Sequence, residues 1–103
     1  MRTRYNKLVR DRIPEIIRRN GGRPVTHVAR NNAEYSKKLM EKLLEEIKEF
    51  ERDPNIEELA DILEVLEAII DFKRFDRAKV KKVKREKAKK NGRFKGRIIL
   101  DES

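Results

Sequence analysis

Two segments in the middle of the chain carry apolar residues at the spacing of amphipathic helices, and Asp53-Pro54-Asn55 separates them. Asn31 or Asn32 can cap the first of these helices, which runs to about Arg52. Its apolar side chains fall on one continuous arc when successive residues are placed about 100° apart. Residues 56–72 are apolar almost all round, which is typical of a helix surrounded by others. Because the connection between the segments is short, the two helices are predicted to be antiparallel neighbours.

The rest of the chain predicts two further helices. Pro14 suits the first turn of a short helix that ends at Gly21-Gly22, and Asp76 is expected to cap a long helix that ends near residues 91–92. Residues 24–28 and 97–100 are candidate strands, each with the other as its one obvious partner. The predicted fold class is mainly all-α, a single-domain helical bundle with at most a small two-stranded ribbon.

The net charge of +9 is divided into three blocks of alternating sign. Residues 1–30 have a net charge of +7, residues 31–71 of −8 and residues 72–103 of +10. A protein that binds only nucleic acid has no need of the acidic block, since carboxylates repel phosphates. A protein that holds a metal ion on carboxylates and a polyphosphate on cations needs both signs close together.

Composition limits the size and the location of the core. Only 37% of the 103 residues are hydrophobic and 46% are charged, so the core must be thin or completed by a partner chain. We therefore expect association at least as a homodimer. The absence of cysteine excludes disulfides and thiolate metal sites. No apolar stretch approaches the ~20 residues of a membrane span, so a cytoplasmic protein without membrane contact is expected.

Two carboxylates of the first central helix lie where solvated charge is not expected. Glu46 projects between Tyr35 and Leu39, inside the apolar arc, and Glu49 lies at the edge of that arc. The second helix repeats the pattern, since Glu58 and Asp61 both fall within its apolar surface. Each helix thus has carboxylates at positions i and i+3, which are neighbours on a helix.

The two pairs can meet across the interface of antiparallel helices. Burying carboxylates without partners costs several kcal/mol each, and four together raise one another's pKa values. A divalent cation removes this conflict, and Mg²⁺ prefers oxygen ligands and keeps room for water and phosphate. The spacing therefore predicts a metal site of Glu46, Glu49, Glu58 and Asp61.

Structural roles compete with this interpretation for single residues. Glu58 follows Asn55 by three positions and could belong to a helix cap, and it could also serve both purposes. Glu46 could pair with an arginine from either basic end. Glu67 points into an apolar stretch and is interpreted as a structural or subunit-contact residue. The combination of both pairs favours the metal site.

The same residues resemble a known family. Residues 43–50 (LLEEIKEF) and 57–65 (EELADILEV) are similar to the metal-binding pattern of the all-α, MazG-like nucleoside triphosphate pyrophosphohydrolases. Residues 5–14 (YNKLVRDRIP) and 85–94 (REKAKKNGRF) resemble a branch labelled phosphoribosyl-ATP pyrophosphohydrolase-like. One departure is Arg93, which stands where this branch often has the second glycine of a Gly-Gly-Phe sequence.

The resemblance implies a function. Such enzymes cleave a nucleotide between the α- and β-phosphates, with Mg²⁺ or alternatively Mn²⁺, and some clear non-standard nucleotides. It also implies that a glutamate of the acidic set positions the attacking water, either Glu46 or Glu49. Basic residues would hold the phosphates, and the candidates are Lys7, Arg10, Lys84, Lys87 and Arg93. His27, with no second histidine in the chain, is interpreted as structural.

Two other functions compete with the enzyme. The basic segment of residues 73–97 could bind nucleic acid. Phe75 and Phe94 are its only aromatic residues, however, so few side chains could stack on bases. The chain could also be a catalytically silent relative that binds nucleotide or only dimerises. The acidic block argues against the first of these alternatives, and the intact carboxylates argue against the second.

Overall fold

Helices make up the regular structure of the protein. A computed structural model describes residues 3–103 and contains α1 (Ile13–Arg19), α2 (Asn32–Arg52), α3 (Ile56–Phe72) and α4 (Arg77–Asn91). Within those residues no β-strand forms. The prediction of a mainly all-α fold is confirmed.

Each of the three long helices begins after a side chain that accepts a hydrogen bond from its first turn. The Oδ1 atoms of Asn31 and Asn55 accept from the backbone N–H three residues further on, at 2.8 and 2.9 Å. Asp76 Oδ1 accepts from the N–H two residues further on, at 2.9 Å. These side chains satisfy amides that have no partner inside the helix, which fixes where each helix starts.

The packing of α2 against α3 forms the core. Leu39 of α2 and Val65 of α3 retain only 2% and 8% of their exposure. Tyr35, near the start of α2, lies edge-on to Phe72 at the end of α3, with ring centroids 5.1 Å apart and planes at 85°. This contact between opposite ends shows that the two helices are antiparallel, as the short connection predicted.

A second side of the helix pair is apolar and open to solvent. Leu59, Leu63 and Leu66 follow one another along α3 at intervals of four and three residues, the spacing of a helix-packing seam. The exposed apolar residues of the two helices are Met40, Leu44, Ile47, Ile56, Leu59, Leu63 and Leu66. None of the helices within residues 3–103 combines the length and the apolar character needed to cross a membrane.

Helix α4 leaves the α2/α3 pair instead of packing along it. Its first residue is tied to α3, because Arg77 Nη1 lies 3.0 Å from Glu67 Oε1 and Arg77 Nη2 lies 2.8 Å from Asp71 Oδ1. Beyond that point the basic side chains of α4 leave it no continuous apolar stripe, and Val80 and Val83 remain exposed. The molecule is therefore elongated, 54 × 31 × 25 Å, with a radius of gyration of 18.0 Å. A compact chain of this length has a radius of gyration of about 13 Å.

The two-stranded ribbon does not form within the described residues. Residues 24–28 and 97–100 are both irregular, and Val25, Val28 and Ile98 are exposed. Arg97 has a φ of +54°, which interrupts the extended backbone that a strand needs. Two short strands with no helix against either face lack the burial that makes a ribbon stable.

Helix α1 ends where glycine permits a left-handed residue. Gly21 has a φ of +86°, its N–H donates to the carbonyl of Arg18, and the N–H of Gly22 donates to the carbonyl of Ile17. This is the Schellman arrangement of a helix C-terminus. Helix α3 ends with the same two hydrogen bonds, but the left-handed position is occupied by Arg74, with a φ of +57°.

Replacing Arg74 by glycine should stabilise the protein. An L-residue in the left-handed region costs about 1–2 kcal/mol, and the greater chain entropy of unfolded glycine offsets about half of that gain. We expect Arg74→Gly to raise the free energy of unfolding by roughly 0.5–1 kcal/mol in urea titrations. The matched control is Lys73→Gly, at a right-handed position with a φ of −77°, which should lower it. Loss of stability in Arg74→Gly would contradict the prediction.

Candidate metal centre

Glu46 is a carboxylate buried in the interface between α2 and α3. It lies on the same face of α2 as Leu39, seven residues earlier, and it retains 8% of its exposure. Among residues 3–103 its one ionic contact comes from its own helix, since Lys42 Nζ lies 3.2 Å from Glu46 Oε1. The placement of Glu46 among apolar side chains, predicted from helical spacing, is confirmed.

Glu58 and Asp61 reach the same place from the first two turns of α3. The backbone N–H of Glu58 donates to Asn55 Oδ1, so the start of α3 fixes the position of Glu58. The cap uses the backbone amide of Glu58 and leaves its carboxylate for other contacts. Asp61 follows three residues later, on the same side of the helix. Glu58 therefore takes part in the cap and in the acidic cluster at once.

The carboxylates of Glu46, Glu58 and Asp61 converge, and they are called the triad below. Each offers one oxygen atom, and these three atoms all lie within 4.8 Å of one another. Oxygen ligands of a single Mg²⁺ lie about 3–4 Å apart, because each bond is about 2.0–2.1 Å long. Small rotations of side chains would close the difference, so the triad could hold a metal ion.

The convergence of the three carboxylates is unfavourable for the ionised form of Glu58. Burial raises the pKa of Glu58, and the negative charges of Asp61, Glu46, Glu49 and Asp53 raise it further. Glu46 and Asp61 each form an ion pair, with Lys42 and Arg10, whereas Glu58 forms none within residues 3–103.

Two cations contact the triad, each through a different carboxylate. Lys42 contacts Glu46 from within α2, and Arg10 Nη2 lies 2.7 Å from Asp61 Oδ1. Sequence analysis assigned Arg10 to phosphate but did not single out Lys42. The spacing of Lys42 and Glu46, four residues apart on one helix, is the signal that could have indicated it.

Glu49, the fourth predicted metal ligand, lies outside the triad. Its carboxylate forms an ion pair with Arg52, three residues further along α2. It is still close enough for its charge to raise the pKa of Glu58. The structure therefore brings together three of the four predicted carboxylates and places the fourth beside them, turned toward a cation of its own helix.

The five predicted phosphate-binding residues are divided between two regions. Arg10 is at the triad, and Lys7 is near it, with Nζ 3.4 Å from Oε1 of Glu45. Lys84 and Lys87 are exposed on α4, and Arg93 follows that helix. Helix α4 is attached to the end of α3 that lies roughly 16–20 Å along the axis from the triad. Within one chain these three residues are not brought to the carboxylates.

His27 belongs to the start of α2. Its Nε2 lies 3.0 Å from Oε2 of Glu34, and the other oxygen of Glu34 accepts a hydrogen bond from the backbone N–H of Arg30 at 2.7 Å. That backbone hydrogen bond, together with His27, lowers the pKa of Glu34. His27 thus supports a helix terminus, in line with the structural role predicted for a lone histidine.

Comparison of the chain with protein-family models, with curated proteins and with solved structures gives no match. Function is therefore inferred from the geometry of the triad and its cations, together with the resemblance noted in residues 43–50 and 57–65.

Removing the charge of Glu58 should stabilise the metal-free protein. Because its pKa is raised in the folded state, ionised Glu58 lowers the free energy of unfolding at neutral pH. This loss of stability is complete at pH values above the pKa of Glu58 in the folded protein, and it disappears below the pKa of Glu58 in the unfolded chain. Glu58→Gln should therefore have the higher thermal midpoint in chelator at neutral pH. Its advantage over the natural chain should shrink as the pH falls through the folded pKa of Glu58.

Glu57→Gln is the matched control for this measurement. Glu57 is the neighbouring carboxylate on α3, it is exposed, and it is not a member of the triad. Its replacement should leave the thermal midpoint nearly unchanged across the same pH range. A Glu58→Gln protein less stable than the natural chain at neutral pH would show that Glu58 has a stabilising cationic partner instead.

Proposed function

We propose that the protein is a metal-dependent nucleotide pyrophosphohydrolase, which cleaves between the α- and β-phosphates and releases a nucleoside monophosphate and pyrophosphate. The observation that carries the proposal is the convergence of Glu46, buried on an apolar helix face, with Glu58 and Asp61 of a second helix. The resemblance of residues 43–50 and 57–65 to MazG-like pyrophosphohydrolases supports the same reaction. Clearance of non-standard nucleotides is the cellular role that this resemblance implies.

Local charge explains why such a site needs a metal ion for phosphate chemistry. The ionised triad with Lys42 and Arg10 has a net charge of −1, which repels a polyphosphate. One divalent ion changes this local charge to +1, which attracts it. Mg²⁺ suits the purpose because it prefers carboxylate oxygens and usually keeps positions for water and phosphate, and Mn²⁺ accepts similar ligands.

In this proposal each residue of the site has a separate role. Glu46, Glu58 and Asp61 would hold the ion, which when bound would supply Lewis-acid polarisation of a phosphoryl oxygen. Glu49 lies beside the triad and is half-buried. Once its carboxylate separates from Arg52, Glu49 would orient the attacking water. Lys7 and Arg10 are the cations placed to bind the departing pyrophosphate.

A second copy of the chain is the proposed partner of the open apolar face. Within residues 3–103 the only buried apolar side chains are Leu39 and Val65 of the α2/α3 pair, a small core that a partner chain would enlarge. Two such helix pairs, joined through the seam of Leu59, Leu63 and Leu66, would form a four-helix bundle. A two-fold axis allows the same face to pack on itself, so no other protein is required.

The strongest alternative function is binding of nucleic acid by α4. That helix has nine lysines and arginines against a single glutamate, and it is exposed along its length. Such a helix could follow a phosphate backbone without reading bases. The alternative leaves the triad without a purpose, and for this reason the enzyme is preferred.

Turnover should depend on the triad and on metal. We expect Mg²⁺ or Mn²⁺ to support release of pyrophosphate, with no initial orthophosphate, from some members of a panel of nucleotides. Glu58→Gln should lower kcat/KM by at least about 100-fold, since even indirect supports of a metal site are worth about 10–100-fold. Glu57→Gln, which removes the adjacent charge outside the triad, should keep nearly full activity. Pyrophosphate release measured with and without chelator checks these expectations.

Two results would contradict the enzyme proposal. One is full activity of Glu58→Gln, which would remove the triad from the reaction. The other is absence of turnover for every nucleotide together with tight binding of single-stranded or duplex nucleic acid that weakens steeply with salt. The second result would favour the nucleic-acid alternative and would assign the function to α4.

The proposed dimer can be tested at its seam. We expect the natural chain to sediment as a dimer at micromolar concentration. Leu63→Gln places a polar amide in the centre of the seam and should weaken association by about tenfold or more, since burying a large apolar side chain contributes about 1.5–3 kcal/mol. Glu64→Gln, at the neighbouring exposed position of α3, is the control and should associate as the natural chain does. Sedimentation of the natural chain as a monomer would refute the proposal.

A further inference from the structure

The N-terminal segment of residues 3–12 lies along α2 and α3 and is held there by polar contacts. Lys38 Nζ donates to the backbone carbonyl of Asn6 at 2.6 Å, and Lys7 Nζ lies 3.4 Å from Oε1 of Glu45. Leu8 and Val9 are half-buried, so the segment is also anchored by apolar packing. This anchoring delivers the guanidinium of Arg10 to the edge of the triad.

Arg10 contacts one oxygen of one triad residue. Its Nη2 lies 2.7 Å from Asp61 Oδ1, while its side chain keeps 56% of its exposure. An ion pair this exposed contributes little to stability, so breaking it costs little. Arg10 is therefore held close to the triad without being fixed there.

A divalent ion and Arg10 compete for the same carboxylate. An ion held by Glu46, Glu58 and Asp61 draws the negative charge of Asp61 to itself and repels the guanidinium. Arg10 then has a charge and five donor hydrogens beside a site whose remaining ligand positions suit phosphate oxygens. A planar guanidinium matches the geometry of phosphate.

We propose that Arg10 is an exchangeable counter-ion, which holds Asp61 in the metal-free protein, leaves it when a divalent ion binds, and then contacts the phosphate of the ligand. This inference rests on the proposed metal site. It differs from a purely structural role for Arg10, because it requires the same side chain to oppose metal binding and to favour phosphate binding.

The test is a pair of binding measurements on Arg10→Gln. Calorimetric titration with Mn²⁺ alone should give a tighter metal affinity in the variant, by about two- to fivefold, the range typical of an exposed ion pair. Titration of the metal-loaded protein with inorganic pyrophosphate should give a weaker affinity, by at least a similar factor. The two affinities should thus move in opposite directions.

Arg12→Gln is the matched control. It makes the same change of charge two residues away, and the side chain of Arg12 forms no hydrogen bond or ion pair with the rest of residues 3–103. Both affinities should equal those of the natural chain. Equal changes in Arg12→Gln and Arg10→Gln would show that only net charge matters and would overturn the inference.

The remaining outcomes separate this inference from the function on which it rests. Metal binding that is unchanged or weaker in Arg10→Gln would overturn the exchange while leaving the metal site in place. Unchanged affinity for pyrophosphate would overturn the transfer of Arg10 to phosphate. Failure of the natural chain to bind Mn²⁺ at all would refute the metal site itself, and the inference would fall with it.

Discussion

The buried carboxylate of Glu46 in the interface between α2 and α3 is the constraint on which the rest of the structure depends. This interface holds Leu39 and Val65, the most deeply buried apolar side chains of residues 3–103, and it must also accommodate a charge. An uncompensated buried charge costs several kcal/mol, a large share of the 5–15 kcal/mol that stabilises a typical domain. Lys42 supplies part of the compensation. The convergence of Glu58 and Asp61 on the same point adds to the cost, which a positively charged ligand could offset.

The features of the fold that the sequence predicts correctly are those with a local signal. The starts of α2, α3 and α4 depend on Asn31, Asn55 and Asp76, each of which bonds to an amide two or three residues away. The burial of Glu46 follows from the helical period alone. The ribbon of residues 24–28 and 97–100 required two distant segments to meet, and nothing in either segment specifies that meeting.

The same difference between local and distant contacts applies to the candidate site. The positions of Glu58 and Asp61 follow from the period and from the short connection between the helices. The contact of Arg10 with Asp61 spans 51 residues and depends on how residues 3–12 lie on the helix pair, which no local pattern encodes. For Glu49 the sequence placed a competing cation three residues away, and the pairing with Arg52 follows the spacing of neighbours on a helix. Local spacing thus indicates the two ion pairs within α2, but not the distant contact of Arg10 with Asp61.

The position of α2 relative to α3 connects the site with the open apolar face. Glu46 stands on one helix and Glu58 and Asp61 on the other, so the distances among their oxygens depend on how the two helices pack. The exposed leucines of α3 belong to the same helix as two of the three triad carboxylates. A partner bound to this face would restrict how α2 and α3 pack, and so would an ion bound to the triad. If the protein forms both the proposed dimer and the proposed metal site, the two equilibria are coupled reciprocally, because they share the packing of one helix pair.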